Sequence, residues 1–176
     1  MTGEVLIHKK ENESKLEAVI KPASAAGKSV EEMGEVILIP KKAIDIKLEA
    51  DVITPDSFAG KSAEEIGNLS VWQGPKTYPL SEFFEVIGNA GSSAAETLIR
   101  IKGDVMRVKR IGEGMSAGKI EIEGSAGMHV GTGMKGGELV VYGDADSWAG
   151  MEMIGGLLNI KGNAGDHVGC AYRGKW

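Results

Sequence analysis

Cysteine is nearly absent from this chain. Cys170 is the only one in 176 residues, so no internal disulfide can form, and a reducing compartment is expected. Long apolar runs are missing as well, which excludes a helix across a membrane. The first residues, MTGEVLIHKKENESK, lack the apolar stretch of a signal peptide, so a cytoplasmic location is expected. No basic stripe supports nucleic-acid binding, and the net charge is −5. Proline stops early: none follows Pro79.

Glycine is what the chain has in excess, 26 residues, roughly double ordinary usage. Eight lie before Leu98 and eighteen after it (8 + 18 = 26). Charge divides at the same place, with 10 Lys+Arg against 16 Asp+Glu in residues 1–98, a net of −6. These shifts put a boundary within residues 88–98, between a region 1–97 and a region 98–176.

The second region is a repeat. GMSAGKIEIEGSA (114–126), GMKGGELVVYGDA (133–145) and EMIGGLLNIKGNA (152–164) place Met115, Met134 and Met153 at a step of 19. Gly124, Gly143 and Gly162 keep that step, as do Ala126, Ala145 and Ala164. LIRIKGD (98–104) is an earlier copy, with Gly103 to Gly124 stretched to 21. A fixed period near twenty residues marks a solenoid. Ile120, Leu139 and Leu158 recur at one strand position, and Ile122, Val141 and Ile160 two residues on, hence on the same face. Glu121, Val140 and Asn159 fall between them and suit an outer face. A strand this short buries its apolar face only by stacking on copies of itself, with glycines at the corners. The expected fold is therefore mainly β: a right-handed parallel β-helix of 19-residue coils, with a small α+β cap at the N-terminus.

A second repeat lies upstream. KLEAVIKPASAAGKSVEEMGEV (15–36) resembles KLEADVITPDSFAGKSAEEIGNL (47–69), and Pro22/Pro55, Gly27/Gly60 and Ser29/Ser62 are 33 apart. Each copy reads as a strand, an extended segment and a short helix. NLSVWQG then reads as a strand, Gly74 to Pro79 as a turn, and SEFFEVIG as a helix or strand. Together they form a cap over the first coil, because a solenoid end exposes unpaired backbone.

Several motifs invite chemistry. The Gly-Lys-Ser triplets at Gly27 and Gly60 have Pro22 and Pro55 where a phosphate-binding loop has glycine; Ser29-x-x-Glu32 and Ser62-x-x-Glu65 read as helix caps. GTGMKG (131–136) has the glycines of a dinucleotide fingerprint, but the strand ELVVYG follows it, not a helix. His129 and His167 are two coils apart with Trp148 between them, which predicts a column of stacked rings rather than a pair of metal ligands. Asp144, Asp146, Glu152, Asp166 and Arg173 could cluster as in polysaccharide-cleaving β-helices, yet turn chemistry explains Asp144. Met115, Met134 and Met153 read as core filler and Cys170 as packing. No catalytic, cofactor-binding or metal-binding residue is assigned.

The segments RIGEGMSAGKIEIEG, GMHVGTGMKGGELVVYGDADSWAG and IKGNAGDHVGCAYRGKW resemble the C subunit of formylmethanofuran dehydrogenase. The likeness continues upstream through PDSFAGKSAEEIGNLSVWQG and LSEFFEVIG. More distantly the coils resemble the C-terminal β-helix domain of glutamate synthase large subunits. The resemblance implies a structural subunit of a complex that reduces carbon dioxide to formylmethanofuran, or runs the reverse, in methanogenesis. It implies tungsten or molybdenum pterin, iron–sulfur clusters and methanofuran on the other subunits, and those subunits as partners. A related bacterial formyltransferase/hydrolase complex has a similar subunit. The residues themselves leave open a β-helix carbohydrate enzyme and a histidine-dependent acyltransferase. The family continues with more coils beyond a motif like AYRGKW, so a truncated β-helix is expected, with an open edge at LLNIK that leads to self-association, partner binding or disorder of the last residues. The duplication at Lys15 to Val36 exceeds the family pattern.

Overall fold

The computed structural model describes residues 4–7 and 33–171. Among the described residues the protein is mainly β, with two short α-helices and two mixed sheets, neither of which closes into a barrel. The strands are β1 (Glu4–Ile7), β2 (Gly34–Pro40), β3 (Leu48–Glu49), β4 (Ser70–Gln73), β5 (Lys76–Pro79) and β6 (Phe84–Gly88), then β7 (Thr97–Ile101), β8 (Val108–Lys109), β9 (Lys119–Ile122), β10 (Lys135–Val141) and β11 (Gly155–Ile160). The helices are α1 (Pro55–Phe58) and α2 (Ala63–Gly67).

The larger sheet runs β1-β11-β10-β9-β7-β2-β6, and every pair is parallel except β2 with β6. The 19-residue step is its register: Ile120 pairs with Leu139 and Leu139 with Leu158, while Ile122 pairs with Val141 and Val141 with Ile160. These six side chains are fully buried, as the period-two spacing predicts. Met115 and Met134 are buried in the same core, and Met153 packs against it half-buried. A second ladder of single bridges joins Val105, Ala126, Ala145 and Ala164 in parallel, again at the repeat positions.

Glycine is needed where successive strands approach most closely. Gly118 has φ +81°, and a Cβ there would lie 2.2 Å from the Ala94 carbonyl oxygen. A Cβ on Gly124 would lie 2.5 Å from the Gly103 oxygen, so the 21-residue first step still brings two backbones into contact at that corner.

Upstream, the chain imitates the repeat and then ends it. β2 lies parallel on β7, and β3 lies parallel on β8. One strand farther out, the direction reverses: β6 is antiparallel to β2, and β4 to β3, with β5 closing the smaller sheet, whose order is β5-β4-β3-β8. Phe58, Ile66, Leu80 and Phe84 fill the space beneath. α2 starts at a capping box, where Ser62 N donates to Glu65 Oε2 at 2.8 Å and Glu65 N donates to Ser62 Oγ. Ser29, Gly27 and the first copy of the duplication up to residue 32 lie outside the described residues.

Three expectations need correction. Gly74 to Pro79 is not all turn: Lys76–Pro79 pairs with β4 as a strand, and only Gly74-Pro75 turns, with φ +60° at Gly74. Val140 sits on the outer face yet is only 5% exposed, flanked in its row by Glu121 and Asn159 on the neighbouring strands. The edge of β11 is not open. β1 lies on it in parallel, and the polar backbone that a free edge would leave unpaired is thereby partnered.

Candidate functional site

The most unusual backbone in the repeat is also its most chemically mixed column. Arg110, His129, Trp148 and His167 recur at 19-residue intervals, and all have positive φ, 68°, 63°, 69° and 62°. That conformation costs a non-glycine residue roughly 1–2 kcal/mol. Each corner needs it to aim an amide along the stack. Arg110 N donates to the Met128 oxygen at 3.0 Å, His129 N to Ser147 at 3.1 Å, and Trp148 N to Asp166 at 2.8 Å. The flat side chains offset part of the cost. Trp148 and His167 stack at 4.3 Å and 6°, and His129 and Trp148 at 5.9 Å and 18°.

At the head of the column, the Arg110 guanidinium donates to both Glu113 carboxylate oxygens at 2.9 Å, which raises its pKa. Burial pushes the His129 pKa down, and the Arg110 charge pushes it the same way. Both effects favour the neutral ring, whose Nδ1 is buried and without a hydrogen-bond partner among the described residues. The sequence pointed to the three rings but missed Arg110. Its signal was available, since 129 − 110 is again 19.

The column does not form a metal centre, because an indole separates the two imidazoles. Among the described residues, no group of three or more His, Cys, Asp or Glu could hold a metal ion. The carboxylates are not gathered into a catalytic pair either. Asp144 Oδ1 accepts from Asn163 N at 2.7 Å, and Asp146 Oδ1 accepts from Ser147 N at 2.7 Å. Asp166 N donates to Ser147 Oγ, and Glu152 has φ 55° and donates its amide to the Cys170 oxygen. These are bonds at the corners, local to one corner or between successive repeats. Arg173 lies outside the described residues. Cys170 is a half-buried free thiol. GTGMKG leads into β10, with Gly131 and Gly133 at positive φ in the turn before it.

The outer face of the larger sheet carries a chain of ion pairs that the sequence reading did not identify. Arg100 reaches Glu35 at 3.2 Å and Glu121 at 3.1 Å, and Lys119 reaches Glu121 at 3.0 Å and Glu138 at 3.6 Å. Burial opposes the charge on Lys119, but the hydrogen bond to Glu121 and the neighbouring carboxylates outweigh it and raise its pKa. Beside this chain, Arg100, Glu121, Glu123 and half-exposed Tyr142 line a shallow open hollow. Such a face suits contact with another surface more than enclosure of a small substrate.

No family model matches the sequence. Among curated proteins, the C subunit of a molybdenum-containing formylmethanofuran dehydrogenase from Methanosarcina barkeri is 88% identical over 130 residues, 74% of this chain and 43% of that protein. This chain is a homologue of the formylmethanofuran dehydrogenase C subunit. The C subunit of a tungsten-containing formylmethanofuran dehydrogenase from Methanothermobacter thermautotrophicus is 51% identical over 98 residues, 56% of this chain and 36% of that protein. The chain therefore spans less than half the length of these homologues. Among solved structures, a chain from the formyltransferase/hydrolase complex of Methylorubrum extorquens, crystallised with methylofuran, superposes with a TM-score of 0.70 at 32% identity. That likeness covers 79% of this chain and 51% of the other. No helix among the described residues is long and apolar enough to cross a membrane.

Proposed function

We propose that this chain is a structural subunit of a formylmethanofuran dehydrogenase complex and has no active site of its own. In such a complex carbon dioxide is reduced to the formyl group of formylmethanofuran, or the reverse reaction runs. The observation that carries the reading is the 88% identity over 130 residues to the Methanosarcina barkeri homologue. The local chemistry supports it, since the Asp144 and Asp146 carboxylates accept corner hydrogen bonds and the His129, Trp148 and His167 rings stack. The donor set does not suit the redox groups such a complex uses. An iron–sulfur cluster takes several cysteine thiolates, and this sequence has one. Pterin metal, clusters and methanofuran are accordingly assigned to the partner subunits, and no chemical step is assigned here.

We further read the repeat as a right-handed parallel β-helix spanning residues 98–176, with 1–97 as its cap region. Its support is that the strand ladder, the alanine bridges and the positive-φ column all advance by the same 19 residues. A second assembly, the formyltransferase/hydrolase complex, is favoured by the solved-structure likeness. The lower identity ranks it below the first.

Tagged chain co-expressed with the other subunits of the Methanosarcina barkeri complex tests the reading. Those subunits should co-purify with it, and the purified chain alone should show no turnover. Recovery of the chain alone, in a preparation where the native homologue assembles, would overturn the proposal.

A further inference from the structure

The pairing of β1 is the part of the architecture that the repeat does not require. Along the stack, Lys119, Glu138 and Leu157 are register partners in successive strands. Glu4 is the partner of Leu157 on the far side, followed by Val5 on Leu158, Leu6 on Asn159 and Ile7 on Ile160. The match is parallel and runs without a shift through all four residues. Residues 4–7 thus occupy the row next to β11, where the register of the stack would place a further repeat strand.

The sequence of the segment fits that row. KIEI, ELVV, LLNI and EVLI each have apolar residues in second and fourth place. In the three repeat strands those two places are fully buried. A slip of one residue would bring Glu4 and Leu6 into register with the buried rows instead. The direction is specified too, because a parallel strand continues the slanted hydrogen-bond pattern of the ladder, whereas an antiparallel one would not.

We propose that the β11 edge is a strand-acceptor site, and that the chain's own segment Glu4–Ile7 is its resident occupant, seated as a surrogate repeat. The site selects an extended segment running parallel to β11 with apolar residues two apart. Occupancy removes an edge that would otherwise recruit strands from other molecules.

Cysteine cross-linking in the full-length chain tests this. In a Cys170→Ser background, Leu6→Cys is combined with Asn159→Cys, its register partner, or with Leu157→Cys, two residues out of register. Adjacent in-register strands bring Cα atoms within disulfide range and a two-residue slip takes them beyond it, so the matched pair should cross-link at least about tenfold more than the slipped pair. The product should be monomeric by non-reducing electrophoresis. Equal yields, no cross-link, or a predominantly dimeric product would each overturn the proposal. A second measurement leaves the edge untouched: Val5→Asp with Ile7→Asp should speed amide exchange in β11 at least about tenfold while β9 stays protected. Unchanged β11 exchange would count against the proposal.

Discussion

The stacked strands β7, β9, β10 and β11 and the lead-in before Thr97 build their cores in different ways. In the stack, each row holds similar side chains, and every strand is buried by the next copy of itself. In the lead-in, Phe58, Phe83 and Phe84, all the phenylalanines of the chain, close a space bounded by two short helices and a hairpin. The two regions meet through shared hydrogen bonds. Leu48 N donates to the Arg107 oxygen, Gly112 N donates to the Ile53 oxygen at 3.0 Å, and Asp56 accepts from Ser116 N at 2.9 Å. Repetition makes a core that can be extended indefinitely. The lead-in follows the parallel pattern for one strand and then reverses it, and that reversal gives the stack a defined end.

The comparison breaks most sharply at its two cores. Leu139→Ala in the stack should cost roughly 2–5 kcal/mol and Phe84→Ala in the lead-in about 3–5 kcal/mol, measured by urea denaturation. If the shared sheet makes one cooperative unit, both changes should shift a single transition without splitting it. Two separated transitions in either variant would divide the regions thermodynamically. Next in size is the cap of α2. Ser62→Ala should cost about 1 kcal/mol, since the hydroxyl accepts from the Glu65 amide. Isothermal titration should show no nucleotide binding to the unmodified chain.

A smaller effect distinguishes the stack by its pH dependence. The folded chain holds the His129 pKa below its ordinary value of 6.5, so the unfolded chain binds the proton more readily. Stability should therefore fall as pH drops below about 6.5 and level off below the depressed folded value. His129→Asn, which tolerates positive φ, should flatten that slope in melting curves taken between pH 7 and 5. An unchanged slope would assign the acid sensitivity elsewhere. Least of all, Arg100→Gln should cost under about 1 kcal/mol, because the ion pairs it makes are partly exposed. That cost should shrink further in high salt.

The stack was legible because one period carried the whole signal. Ile120, Leu139 and Leu158 identify their row from spacing alone, and their burial follows. His129, Trp148 and His167 were placed on one column by the same arithmetic, though their positive φ was not. The backbone need appears only when the corner amides are seen donating along the stack. Less could be read in the lead-in, where pairing is not periodic. Lys76–Pro79 reads as turn because of Gly74, Pro75 and Pro79, yet it is an edge strand, where proline is tolerated. The pairing of Glu4–Ile7 with β11 joins the two ends of the sequence. No local pattern announces such a contact, although the likeness of EVLI to ELVV was in plain view.

The position of β1 also sets an order of events in time. Successive repeat strands lie 19 residues apart, so each can add to the last after closing a short loop. Glu4 and Leu157 are 157 − 4 = 153 residues apart. Closing that loop costs roughly 2 kcal/mol more chain entropy than closing a 19-residue one. During synthesis the segment Glu4–Ile7 is made well before its partner strand, with the other strands of the sheet between them. Glu4–Ile7 is therefore seated only after β7, β9, β10 and β11 have been made, and it waits through their synthesis without its partner.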